Sequence, residues 1–492
     1  MKNTKIILLG IDGMDFDYTQ SILHYLPNIK KLFDKGLGAP FKSVFPPDSI
    51  PSWITAYTGK DPSEHGVLES INYLANGDRR IKVNSSIFRG ATFWDYLGNE
   101  DIDVCIINPF MAYPVWPVNG LMVNGPVFIS GDIQISAPEL VKDIPIPNGL
   151  GGITDFPTKK TLSKFCDKIV KDTQEQMEFG ISLLKKNRPQ FFFQIFLTMD
   201  RLQHFLWRYC DKEDPTYPGK NIYEKKIENF YILIDKIIGK FLDAMEPDGQ
   251  LIVISDHGHF RRCTHCFNIN EFFRRKGYLT SHAENKIFCK ELIIEKMKNL
   301  LLQFFNDHDL EDYIQMIAKF IPNAKGLKKG KHITDNSKSM AYVSDFTGVN
   351  PFGGICLNEP LIDRYSEFRE NLVKELENIE LDGKPVFNWI KYRGQMFKGK
   401  FTENFPEVLF EMIPCLGLNW NLHTDLFTVN PTHKKISGGH RENGIIFMNR
   451  ITTNLVSMDK LRIVNLFPTL LDFFGVSYRD KCNGSSFLNL SK

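Results

Sequence analysis

Ile6-Ile7-Leu8-Leu9-Gly10-Ile11-Asp12-Gly13 is apolar on both of its faces and then stops at a carboxylate between glycines. A short run of this kind suits a strand covered by helices on both sides of a sheet. Lys2 and Lys5 give it a superficial likeness to a secretory leader. A leader's apolar region needs about 7–15 residues, and here Gly10 and Asp12 come too soon.

Similar runs recur along the chain at Val104–Ile107, Phe191–Leu197, Leu251–Ile254 and Ile445–Met448. Between them lie helical patterns. From Leu162 to Lys186, the residues Leu162, Phe165, Ile169, Met177, Ile181 and Leu184 fall at helical intervals, and Asn221–Met245 carries Ile227, Phe230, Ile234, Ile237 and Phe241 on one stripe. This alternation predicts an α/β fold with a mostly parallel central sheet flanked by helices. Two stretches break it. Met111–Ile153 is rich in Pro and Gly and reads as loops over one sheet edge. Glu271–Asp335 reads as a basic, mainly helical insertion, with cationic clusters at Arg274–Lys276 and Lys325–Lys331. The expected organisation is a catalytic core of 1–270 and 336–492, with residues 271–335 as an inserted cap.

Composition narrows the function classes. Of 492 residues, 42% are hydrophobic and 24% charged, so the chain is globular rather than disordered. Sixty basic against 58 acidic residues give a formal charge of +2, which argues against a polyelectrolyte working on a nucleic acid polymer. Nine scattered cysteines do not make a disulfide scaffold and suit a reducing compartment. The stretch Phe191–Met199, interrupted by Gln194 and Thr198, falls short of the ~20 residues that cross a bilayer. The expectation is a soluble, cytoplasmic protein with no membrane span.

Ligands of an open α/β sheet gather beyond the carboxyl ends of its strands. Asp12 lies just past the first run. Asp200, with His204 one helical turn on, follows another, and Asp256-His257-Gly258-His259 follows a third. His440 comes after Gly438-Gly439. A single Asp after a strand also fits a helix cap, but the group as a whole has the oxygen and nitrogen chemistry of a Zn²⁺ or Mn²⁺ site. Ser49 precedes a helical stretch, where it could be a nucleophile favoured by the helix dipole or simply a cap. His259 fits a supporting partner of the ligands or an outward loop residue. His65 reads as structural, and Cys263-Thr264-His265-Cys266 lacks the second pair of a zinc ribbon.

The chain resembles the alkaline phosphatase superfamily, and within it the type I phosphodiesterase/nucleotide pyrophosphatase family. Ser49-Ile50-Pro51-Ser52-Trp53-Ile54-Thr55-Ala56-Tyr57-Thr58-Gly59, followed by Pro62, His65 and Gly66, is similar to the family's nucleophile segment. Asp12, Asp200-x-x-x-His204, Asp256-His257-Gly258 and Gly438-Gly439-His440 follow in the family's order, and Asn465–Val476 is similar to the superfamily's closing helix. The resemblance implies an alkaline phosphatase-like fold and two divalent metal ions, most simply Zn²⁺ with Mn²⁺ as the alternative. Asp12, Ser49, Asp256 and His257 would hold one ion; Asp200, His204 and His440 would hold the other. It further implies a phosphoseryl intermediate on Ser49 and a small phosphodiester or nucleotide-type substrate. Where the family has a phosphoryl-binding Asn, this chain has Ser70, with Asn72 just beyond. Either could donate a hydrogen bond, and both also fit ordinary loop residues.

The sulfatase pattern needs Arg where Trp53 stands. A monoesterase needs a cation for the second charge of its substrate, for which Lys42 and Arg201 are candidates by proximity only. Asp48, beside Ser49, disfavours a dianion. Hydrolysis of diesters is therefore expected. A phosphotransferase, a monoesterase or mutase, and a non-catalytic binding protein of the same fold are the alternatives.

Overall fold

The computed structural model describes residues 4–68, 71–73, 80–127, 131–152, 156–282, 290–308, 310, 312–313, 333–344, 348–450, 456–478 and 481–488. The chain divides into two compact units. One comprises Met1–Cys210, Gly219–Phe260 and His440–Lys492; the other comprises Asp211–Pro218 and Arg261–Gly439.

The first unit is built on an eight-stranded sheet. Its strands are β1 (Ile6–Ile11), β2 (Leu37–Lys42), β3 (Val104–Ile107), β4 (Gly120–Asn124), β5 (Gln134–Ile135), β6 (Phe191–Phe196), β7 (Gln250–Ile254) and β8 (Asn443–Met448). They lie in the order β2-β8-β7-β1-β6-β3-β4-β5. The central five, from β7 to β4, are parallel. The remaining pairings, at the two edges, are antiparallel. Gly10 of β1 is in register with Ile195 of β6 and Ile254 of β7, so three strands end at one level. Asp12, Asp200 and Asp256 follow those ends.

Burial of these strands explains their sequences. Every residue of β1, β3 and β6 is buried, which is why they read as unbroken apolar runs. By contrast β2 alternates, burying Leu37, Ala39 and Phe41 while Pro40 and Lys42 face out. It is an edge strand, where a proline costs no ladder bond, and its Gly and Pro hid it from the sequence reading. Likewise β4 and β5 lie in the stretch expected to be loops.

Five helices matter for the site: α1 (Ser49–Thr58), α2 (Leu162–Asn187), α3 (Thr198–Cys210), α4 (Lys226–Ala244) and α5 (Leu466–Phe474). The first is buried from Ile50 to Thr58. Asp48 caps it by accepting from the Ile50 N–H at 3.1 Å, Pro51 sits in its first turn where it is tolerated, and Gly59 ends it in the left-handed conformation (φ 62°). Its Trp53 packs directly on β1. A Cβ at Gly10 would lie 2.6 Å from Trp53 Cη2, so only glycine allows this approach. Tyr57 continues the contact into an aromatic cluster with Trp94, at 4.9 Å between ring centres, and with Phe193. Among the described residues, no helix is long and apolar enough to cross a membrane.

The second unit extends beyond the expected insertion of 271–335. Among its described residues it holds strands as well as helices. Strands 341–343, 352–357, 408–412 and 387–392 form a four-stranded antiparallel sheet, and strands 416–419, 265–268 and 427–429 a three-stranded one. Its core contains Phe267, Phe273, Ile355, Phe410, Leu418 and Trp420. Cys263 and Cys266 are buried in that core, while His265 is exposed. The strands are short, Gly353-Gly354 interrupts one of them, and polar residues such as His265, Asn268, Glu411 and Asn419 break others, so they lack the apolar signature of the central sheet. The basic run Lys325–Lys331 lies outside the described residues.

Candidate functional site

Seven residues predicted from the sequence converge beyond the carboxyl ends of β1, β6 and β7, all within the first unit. Asp12 continues β1, its N–H donating to the Phe196 carbonyl at 3.0 Å. Gly13 then turns the chain with φ 70°. The turn aims the Gly13 N–H at Asp256 Oδ1, 3.1 Å away. Asp12, Asp256 and His257 form one group of donors close enough to share an ion.

Ser49 faces this group. As the first residue of α1 it holds its hydroxyl where the helix dipole is positive. Oγ lies 3.2 Å from Asp12 Oδ1 and 3.0 Å from His257 Nε2. His257 Nδ1 is 3.0 Å from the Gly258 carbonyl, which can only accept. Nδ1 therefore carries the proton, and Nε2 presents a lone pair toward Ser49. Burial holds His257 well below the ordinary histidine range, in its neutral form.

The second group is Asp200, His204, His259 and His440. Asp200 and His204 are one turn apart on α3 and so share a face, with Oδ1 3.2 Å from Nε2. His440 Nε2 lies 3.3 Å from Asp200 Oδ1 and 3.0 Å from His204 Nε2. Its Nδ1 donates to the Pro47 carbonyl at 3.2 Å. The His257 and His440 rings stack at 3.9 Å, which places the two groups side by side.

The electrostatics are those of crowded charge in a largely buried site. Burial, then Asp256 and Asp200, push Asp12 well above the usual carboxylate range. Burial, with repulsion from Asp200, lifts Asp256 to about 7. Burial pushes Asp200 up too, but the surrounding imidazoles outweigh it and hold this carboxyl low. Burial favours neutral His440, but Asp200, then Asp48 and Asp256, raise it to about 9. Asp256 Oδ2 and Asp200 Oδ1 are buried without a hydrogen bond among the described residues. Three carboxylates that repel one another, with unbonded buried oxygens and adjacent imidazoles, make a donor set that fits divalent cations.

Other sequence candidates fall elsewhere. Ser70 lies outside the described residues, as does the side chain of Asn72, whose backbone belongs to the strand Ile71–Tyr73. Lys42 is paired with Glu442 at 3.0 Å, and the Arg201 guanidinium lies over the rings of Phe156 and Phe205. His65 accepts from the Val67 N–H through Nδ1 and bonds Thr55 Oγ1 through Nε2. It ties α1 to the turn that follows.

Two residues were not assigned their place by the sequence reading. His259 points inward and is fully buried. Trp53 donates its indole N–H to Asp12 Oδ2 at 2.9 Å. The departure from the sulfatase pattern at position 53 hinted that this residue acts differently, but not how.

Residues 6–351 match the protein family described as type I phosphodiesterase / nucleotide pyrophosphatase. The chain belongs to that family. Among curated relatives, ectonucleotide pyrophosphatase/phosphodiesterase family member 3 from Mus musculus is 27% identical over 123 residues, and its Rattus norvegicus counterpart is 28% identical over 123 residues. Each match covers 24% of this chain and 14% of the relative. This phosphodiesterase-family chain therefore spans about a seventh of the curated relatives it matches. Among solved structures, phosphonoacetate hydrolase from Sinorhizobium meliloti 1021, in complex with phosphonoacetate, aligns over 95% of this chain and 94% of its own. The TM-score is 0.52 at 13% identity, a likeness of fold. The alkaline phosphatase-like α/β fold expected from the sequence is the one observed.

Proposed function

We propose that this protein is a metal-dependent phosphoric ester hydrolase that cleaves small phosphodiesters or nucleotide-type phosphoanhydrides, with Ser49 as nucleophile. The observation that carries the reading is the position of Ser49 Oγ, on a helix N-terminus and between Asp12 Oδ1 and His257 Nε2. A serine that served only as a cap would not need two such partners.

In this reading Asp12, Ser49, Asp256 and His257 hold one ion, and Asp200, His204 and His440 hold the other. When bound, such ions supply Lewis acidity that lowers the cost of ionising the serine and neutralises phosphoryl oxygens. Zn²⁺ or Mn²⁺ suits these donors. The chain's own part is positioning. The Asp48 cap and buried α1 fix the Ser49 backbone beside Asp12, and the His257 tautomer leaves its Nε2 lone pair facing Ser49, where it would hold the ion. Ser49 Oγ would bond to phosphorus as its proton passes to solvent, and the alcohol or phosphate would leave from the opposite side, taking up a proton from solvent. Water would then cleave the bond between Ser49 Oγ and phosphorus, freeing the phosphoryl product and restoring the serine hydroxyl.

Preference for a diester rests on Asp48, whose Oδ2 lies 3.8 Å from His440 Nδ1 at the rim of the site. A carboxylate there penalises a dianionic monoester more than a monoanionic diester. The engagement of Lys42 with Glu442 points the same way. The test is turnover of bis-p-nitrophenyl phosphate against p-nitrophenyl phosphate with Zn²⁺ or Mn²⁺. Faster turnover of the diester is expected, together with a loss of at least ~10³-fold in Ser49→Ala. Faster turnover of the monoester, or an active Ser49→Ala, would overturn the reading.

A further inference from the structure

We infer that His259 is a fourth protein donor to the ion held by Asp200, His204 and His440. The inference rests on the two-ion reading above and adds a ligand to it.

The first observation is an imidazole without a hydrogen bond. His259 is fully buried, and neither Nδ1 nor Nε2 has a hydrogen-bond partner among the described residues. His257 and His440 differ, since each commits one ring nitrogen to a carbonyl. A buried polar ring left in that state is disfavoured. A cation bound at Nδ1 would supply the missing partner for one of the two nitrogens.

The second is how the ring is held. The His259 N–H donates to Asp15 Oδ2 at 3.2 Å, which pins the backbone. The ring lies against Trp207, 5.7 Å between centres and 27° from parallel, and meets His204 edge-on at 4.7 Å. These contacts turn it away from solvent and toward Asp200.

The third is spacing. Four ligands at the ~2.0–2.1 Å bond lengths of tetrahedral zinc sit ~3.3 Å from one another. Asp200 Oδ1 is 3.2 Å from His204 Nε2, 3.3 Å from His440 Nε2 and 3.3 Å from His259 Nδ1. The two Nε2 atoms are 3.0 Å apart. All four donors lie within 4.8 Å of one another. Asp200 Oδ1 and His259 Nδ1 are close but out of line for a good hydrogen bond. With three imidazoles and one carboxylate, protein donors alone would retain the ion.

The experiment uses the full chain loaded with Zn²⁺ and, separately, with Co²⁺. His259→Phe keeps an apolar ring of similar shape. Removal of a supporting residue typically costs 10–100-fold in metal affinity, so loss of a true ligand is expected to weaken one of two ions by more than ~100-fold. The visible Co²⁺ spectrum of that site should change, while the melting temperature of the metal-free protein stays level or rises. A weaker loss with an unchanged Co²⁺ spectrum would make His259 a positioning residue and overturn the inference, as would no loss at all. If His259→Phe fails to fold, His259→Gln is read by the same criteria. A wild-type chain that retains no stoichiometric metal would instead overturn the two-ion reading itself.

Discussion

Trp53 and Asp12 meet through a 2.9 Å hydrogen bond, in which the indole N–H of α1 holds Oδ2 of the carboxylate beyond β1. The other oxygen, Oδ1, is left facing Ser49. The tryptophan thus fixes which way Asp12 points, and does so from a fully buried position.

Replacing Trp53 by Phe removes that donor and opens a void. A loss of about 1–3 kcal/mol in stability is expected from the hydrogen bond to a buried carboxylate. Affinity for the ion nearest Ser49 should fall ~10–100-fold. Chemical denaturation and metal titration read the two effects separately, and unchanged metal affinity would show that Asp12 needs no such support.

Gly10→Ala tests the packing beneath that pair. The added methyl would sit 2.6 Å from Trp53 Cη2 and 3.0 Å from Ile195 Cγ1. Overpacking of this kind costs typically 1–3 kcal/mol. Because the indole must shift to relieve it, Gly10→Ala is expected to lower metal affinity as well as the melting temperature. A drop in stability alone would place the strain elsewhere.

Metal binding should depend on pH through His440 and Asp256. His440 is raised to about 9 and Asp256 to about 7, so at neutral pH an ion competes with protons at both. Apparent affinity is expected to climb from pH 6 to about 9 and then level off, with proton release that shrinks over the same interval. Calorimetry in buffers of different ionisation enthalpy measures the protons released. A flat profile would mean that neither group binds the ion.

Glu271, in the second unit, governs acid stability there. Burial raises its pKa, but Arg274, Arg275 and the His423 N–H outweigh this and bring it down to about 2. A depressed carboxyl stabilises the fold above its unfolded value near ~4.3, and that contribution fades as pH falls toward 2. On the order of 2–3 kcal/mol is at stake. Glu271→Gln should therefore be destabilised at pH 7 and approach wild type near pH 2–3, by urea denaturation across that range.

The sequence revealed those parts of the fold that are buried on both faces. β1, β3, β6, β7 and β8 read as apolar runs because helices or neighbouring strands cover them, and the polar residues just past β1, β6 and β7 stood out for the same reason. The edge strand β2 was hidden because a half-buried strand with Gly and Pro carries no distinct run, and the sheets of the second unit because their strands are short and interrupted by Gly or polar residues. His259 could not be placed from sequence. It lies two positions past His257, beyond a Gly258 that passes Asn443 closely: a Cβ there would be 2.3 Å from the Asn443 carbonyl oxygen. Trp53 was noticed as a departure, but its partner lies 41 positions away and across the helix–sheet interface.

β8 lies between β2 and β7, and His440 directly precedes it, yet both are made after the whole of residues 261–439. On the ribosome, the sheet stays split, and in the proposed two-ion reading the group of Asp200 and His204 stays short of a donor, until residues 440–448 emerge. Asp12, Asp200 and Asp256 must wait together through that interval without their final neighbour. In the proposed reading, capture of the second ion is in this way tied to synthesis of residues 440–448, and a product ending before them would carry Ser49 without the complete donor set.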